Sequence, residues 1–94
     1  MTVVIAPEAL EDLTAAVEYI AGRNPQAAAR LGEAVFATID RLAEGAFDGP
    51  EQRLRSGELV RSWPVPPLRV YYQRVGERFV VLRVYHQARR PITP

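Results

Sequence analysis

The chain has 94 residues, no cysteine and one histidine, with 48% hydrophobic and 24% charged residues, so it reads as one globular domain spanning residues 1–94 rather than a disordered chain. The absence of cysteine excludes disulfides and thiolate chemistry, and a lone histidine leaves no pair for a zinc site, so neither metal nor cofactor is expected. The net charge of +1 conceals a division: residues 1–52 carry three arginines against nine acids, a net −6, and residues 53–94 carry nine arginines against two acids, a net +7.

Residues 2–5, TVVI, are β-branched and predict an opening strand. Pro7 then suits the first turn of a helix, and Glu8, Glu11 and Asp12 place negative charge at its positive end. Leu10, Leu13, Val17 and Ile20 follow at helical spacing to about Ala21, and Gly22 closes the helix. Asn24 and Pro25 start a second helix as N-cap and first residue. Its apolar stripe is Ala28, Leu31, Val35, Ile39 and Leu42, with Phe36 beside it and Gly45 near its end. So short a connection predicts an antiparallel hairpin, whose outer faces carry Glu18, Glu33, Asp40 and Glu44.

Residues 46–57 mix glycine, proline and charge and predict a loop. Residues 59–63 predict a second strand ended by Pro64, and residues 68–75 a third. Gly76 and Glu77 then form a II′ hairpin turn, setting Val75 opposite Arg78, Tyr72 opposite Val81, Tyr71 opposite Leu82 and Val70 opposite Arg83. The last strand, from Arg78, is the apolar centre of the chain. Parity puts Val80, Leu82, Val84 and His86 on one face, assigned to the core, and Phe79, Val81, Arg83 and Tyr85 on the other. Residues 87–94 carry Arg89, Arg90 and two prolines and predict an exposed basic tail. The N-terminus has no positive start or long apolar segment, so no signal peptide or membrane association is expected and the cytoplasm is the expected location.

The result is an α+β layout: an N-terminal strand and an antiparallel helical hairpin on one face of a small antiparallel sheet. Within it, PEALEDLTAAVEYIAGRNPQAAARLGEAV resembles the helical hairpin of RelE/ParE superfamily toxins, and LVRSWPVPPLRVYYQRVGERFVVLRVYHQARRP resembles their strands. The most specific stretch is LRVYHQARRP, similar to the family's strand ending in His, two residues, then Arg. The resemblance implies the toxic half of a type II toxin-antitoxin pair, neutralised by a cognate antitoxin with an acidic segment in a hetero-oligomer. RelE-type members cleave messenger RNA in the ribosome and ParE-type members are described as poisoning DNA gyrase. This chain has no lysine to match the cationic cluster of the ribosome-dependent members and leans to the ParE type. It departs from the commonest ParE pattern at Gln87 and Arg90.

Arg61, Arg83, Tyr85, His86, Arg89 and Arg90 are therefore the candidate contacts to target or antitoxin. In the ribonuclease alternative, Arg61, Arg83 and His86 would assist attack by a 2′-hydroxyl. His86 otherwise reads as a hydrogen-bonded residue at a strand end. Arg83, inside an apolar strand, must either pair with an acid of its own chain or reach a partner. Arg69 and Arg74, like Arg61, read as solvated strand positions, and Trp63 and Tyr72 as packing residues. An inert binding module that has lost toxicity is the third reading.

Overall fold

The computed structural model describes residues 1–87. In chain order its elements are β1 (Thr2–Ile5), α1 (Pro7–Ala21), α2 (Pro25–Ala43), β2 (Glu51–Arg53), β3 (Leu59–Val65), β4 (Leu68–Val75) and β5 (Arg78–His86). The strands form a single sheet in the order β1-β5-β4-β3-β2. β1 runs parallel to β5, and the other neighbours are antiparallel. The helical hairpin covers one face of that sheet, as the sequence predicts, and residues 88–94 of the expected tail, with Arg89 and Arg90, lie outside the described residues.

Local chemistry accounts for the hairpin. Pro7 opens α1. Asn24 caps α2 by accepting the Ala27 N–H at 3.0 Å, which satisfies one of the donors a helix start leaves unpaired. Ala28, Leu31, Val35, Ile39 and Leu42 are all buried, as their spacing predicts. In α1 the buried line is instead Ala9 and Leu13, with Ala16, Val17 and Ile20 packed against it, while Leu10 is 50% exposed. Small alanines share the buried face, and a count of large apolar residues alone rotates the stripe away from them.

Three expectations for the sheet are corrected. Residues 46–57 contain β2, a three-residue edge strand pairing Glu51 with Arg61 and Arg53 with Leu59. It is held by backbone pairing and flanked by charge, so it lacks the alternation that marks a half-buried strand. β3 continues through Pro64 to Val65. The Ser62 N–H points toward Pro50, so the nitrogen of Pro64, two residues on, faces the same side beyond the end of β2, where no donor is required.

The third correction concerns β5. The register holds from Val75 and Arg78 to Tyr72 and Val81, through a turn with Gly76 at φ +60. A bulge then inserts Leu82, so Tyr71 lies opposite Arg83 and Val70 opposite Val84. The core face of β5 is consequently Phe79, Val81 and Val84, whereas Val80 and Leu82, assigned to the core by parity, are half-buried. His86, grouped with them, is exposed. Phe79 and Val81 are fully buried, and Phe79 stacks on Tyr72 with ring centroids 4.8 Å apart. Both faces of this strand are apolar enough that counting alone cannot rank them.

Candidate functional site

β1 ends at Ile5, and the chain turns into α1 while β5 runs on to His86. Past Val81 the outer edge of β5 therefore faces α1 rather than another strand. A cleft of about 790 Å³ opens there, with Ala15, Ala16 and Ile20 on the helix side and Arg83, Tyr85 and His86 on the strand side. Its lining is mostly apolar, and its charged groups are gathered at one end.

Asp12 closes that end. Its Oδ2 accepts the Val84 N–H at 3.0 Å, taking the place of a neighbouring strand. The same carboxylate grips Arg83 with two parallel bonds, Nε to Oδ2 at 2.8 Å and Nη2 to Oδ1 at 3.0 Å. The hydrogen bond to Asp12 raises the Arg83 pKa above its ordinary value against the opposing effect of burial, so the guanidinium is permanently charged. It lies over the Tyr85 ring at 4.6 Å, and Tyr85 meets Tyr71 edge to face at 5.7 Å. Of the two alternatives for Arg83, the ion pair within the chain is present.

A second cluster lies at the opposite end of the sheet, around Asp48 in the α2–β2 connection. The Tyr72 hydroxyl donates to Asp48 Oδ1 and accepts the Gly49 N–H at 2.8 Å. Arg74 reaches Asp48 Oδ2 at 3.0 Å and, through Nη2, the Leu42 carbonyl at 2.7 Å, which ties down the C-terminal end of α2. Arg61 donates to the Gly49 carbonyl at 2.7 Å and pairs with Asp48 and Glu51. Burial alone would raise the Asp48 carboxyl, but the Tyr72 hydroxyl and the charges of Arg74 and Arg61 outweigh it and hold the group below the usual carboxylate range. Burial, with the bond to Asp48, raises the Tyr72 phenol.

The structure thus brings Arg83, Tyr85 and His86 to one cleft and places Arg61 in the other, with Arg74. By register Arg61 sits opposite Tyr72, on the core side of the sheet, and Arg83 opposite Tyr71, on the other side. Arg61 and Arg74 are bound to acids of their own chain rather than simply solvated, and Arg69 bonds the Ser62 hydroxyl at 2.8 Å. Tyr72 is fully buried and Trp63 packs against Phe47 at 4.4 Å, both as packing residues. The sequence reading missed Asp12 and Asp48 as partners. Asp12 was legible only as negative charge toward the start of a helix, yet it lies three residues after Ala9 and four before Ala16, on the face that meets the sheet. Among the described residues no group of three His, Asp or Glu side chains could hold a metal, and no helix is long and apolar enough to cross a membrane.

Comparison with known proteins follows the same outline. The family described as "ParE toxin of type II toxin-antitoxin system, parDE" matches residues 3–91. Toxin RelE1 of Caulobacter vibrioides is 27% identical over 85 residues, covering 90% of this chain and 91% of the relative. A chain of the chromosomal ParDE TA system from P. aeruginosa has the same fold, with a TM-score of 0.75 at 16% identity over 92% of this chain and 95% of that one.

Proposed function

Since this chain belongs to the ParE toxin family of type II toxin-antitoxin systems, we propose that it acts in the cytoplasm as a single domain, arrests growth by binding DNA gyrase and is neutralised by an acidic-tailed antitoxin. It works by occupying a surface rather than by turning over a substrate. The observation that carries this reading is the internal pairing of the sheet arginines: Arg83 with Asp12, and Arg61 and Arg74 with Asp48. A ribonuclease must spend its cations on the scissile phosphate and the charge that develops there, within bonding distance of one reacting atom. Here Arg61 is held apart from Arg83 and His86, at the other cleft and turned to the other side of the sheet, which weighs against the ribonuclease trio.

Purified protein should inhibit supercoiling by gyrase and leave messenger RNA intact on translating ribosomes. Cleavage of ribosome-bound messenger, with supercoiling unaffected, would replace this reading by the ribonuclease one. On the gyrase reading the surface that matters centres on Arg83 and Tyr85, together with Arg89 and Arg90, and His86 at its edge is dispensable.

A further inference from the structure

We propose that the cleft between α1 and the end of β5 is the anchor pocket for the antitoxin: an apolar side chain of the antitoxin fills the slot over Ala15 and Ala16 while a neighbouring carboxylate bonds the outward edge of the Arg83 guanidinium. This rests on the toxin-antitoxin reading above and narrows it from a surface to a pocket.

The chemistry of Arg83 selects the occupant. A guanidinium is a planar fork with five N–H donors, and Asp12 engages Nε and Nη2 along one edge. The remaining donors lie along the other edge, in a side chain that lines the cleft. The two bonds to Asp12 and the Tyr85 ring fix the plane of the group, so that edge is oriented before a ligand arrives, and little rotamer entropy is lost on binding. Arg61 and Arg74 offer no such edge: their nitrogens are turned to Asp48, Glu51 and the Gly49 and Leu42 carbonyls. A planar, bidentate-capable acceptor is what the Arg83 edge fits, and on a polypeptide that is a carboxylate.

The charges around the pocket set its direction. Asp12 and Glu8 on α1 act on Arg83 from the helix side, so an incoming anion is repelled there and must approach along β5, past His86. Farther along α1, Tyr19 on the cleft rim is 60% exposed and carries Arg23 over its ring at 4.9 Å. An apolar slot bracketed by Arg83 and Arg23 complements a segment with an apolar residue between acids, as a type II antitoxin with an acidic segment would supply. The two alanines of the helix wall leave the room that such a side chain needs.

The test is titration calorimetry of the full-length protein with its purified cognate antitoxin. Ala15→Trp fills the slot from an exposed position, and Arg83→Lys keeps a cation for Asp12 while removing the outward fork. Each should weaken binding about tenfold or more, the weight of one interface hot spot, with melting temperature close to wild type. Because either variant could disturb the fold, amide shifts of the isotope-labelled wild-type protein give an independent readout: antitoxin should move Ala15, Ala16, Tyr85 and His86. Affinity unchanged within about twofold for both variants, or an unmoved cleft in the complex, overturns the pocket while leaving the toxin-antitoxin reading intact. Cleft amides already protected in the free protein, and released by truncation after Gln87 or by dilution, would assign the cleft to the chain's own end or to a second copy and likewise overturn it. Failure of wild-type protein to bind antitoxin at all would overturn the parent reading instead.

Discussion

Replacing Asp12 by alanine removes three bonds at once, and their worth follows from where they sit. The Val84 N–H loses a charged acceptor on a strand edge with no neighbouring strand, about 1.5 kcal/mol at the lower end for bonds to an ionised group. The Arg83 pair, with side chains 36% and 18% exposed, is partly screened and contributes about 1 kcal/mol, the upper end for exposed pairs. Alanine returns about 0.5 kcal/mol through its better helix propensity. The net loss is ~2 kcal/mol, which for a domain of this size lowers the melting temperature by about 8–16 °C. Urea unfolding at neutral pH measures the loss, and amide exchange at Val84 should quicken alongside it. Asp12→Asn keeps an acceptor for the Val84 N–H and should fall between alanine and wild type. A loss below about 0.5 kcal/mol for Asp12→Ala would place Asp12 among ordinary surface positions and refute its role as the missing strand partner.

Tyr72→Phe leaves the Gly49 N–H only its 3.2 Å bond to Asp48 Oδ1 and takes a donor from that carboxylate, and should cost about 1–3 kcal/mol by urea unfolding. Because the folded Asp48 pKa is depressed below its ordinary 3.8, the stability it contributes is fully present above that value and is lost as pH falls through the lower folded value. Asp48→Asn should therefore lose stability at neutral pH and flatten the acid limb of the pH–stability curve below about pH 4; a parallel curve would contradict the coupling. Gly49→Ala would set a Cβ 1.7 Å from the Ser62 carbonyl oxygen, forcing the loop off β3 at about 3 kcal/mol or more, visible as a lowered melting temperature; a wild-type value would mean the crossing is looser than described. His86→Ala should leave growth arrest and gyrase inhibition nearly intact, where a ribonuclease using it as base would lose about 10²- to 10⁴-fold in rate.

The elements with a local signature were legible in the chain. Proline and asparagine at the helix starts, five buried positions along α2 and glycine at the hairpin turn each act within a few residues. What escaped reading depended on partners distant in sequence. β2 exists because β3 offers it a backbone edge, and the bulge at Leu82 is visible only in the pairing of β4 with β5. A parity unbroken by the bulge left Phe79 and Val81 off the core face, whereas Arg83, beyond it, lies away from the core as expected yet finds Asp12 across 71 residues. The site was legible as residue types, Arg83, Tyr85 and His86, and illegible as an arrangement, because the acid that orients it belongs to the first helix.

The parallel pairing of β1 with β5 governs when the molecule can exist. Thr2 to Ile5 leave the ribosome long before their partners, Arg78 to Val81, so β1 waits unpaired until both helices and the other strands have been made. Meanwhile the helical hairpin, all local contacts, can form early, with its apolar stripe uncovered. The cleft cannot appear before β5 is made, because that strand supplies Arg83, Tyr85 and His86. With the proposed working surface on β5, a nascent chain should be inactive until that strand is in place, and a chain interrupted before Arg78 should present a sticky hairpin for proteolysis rather than a weakened toxin.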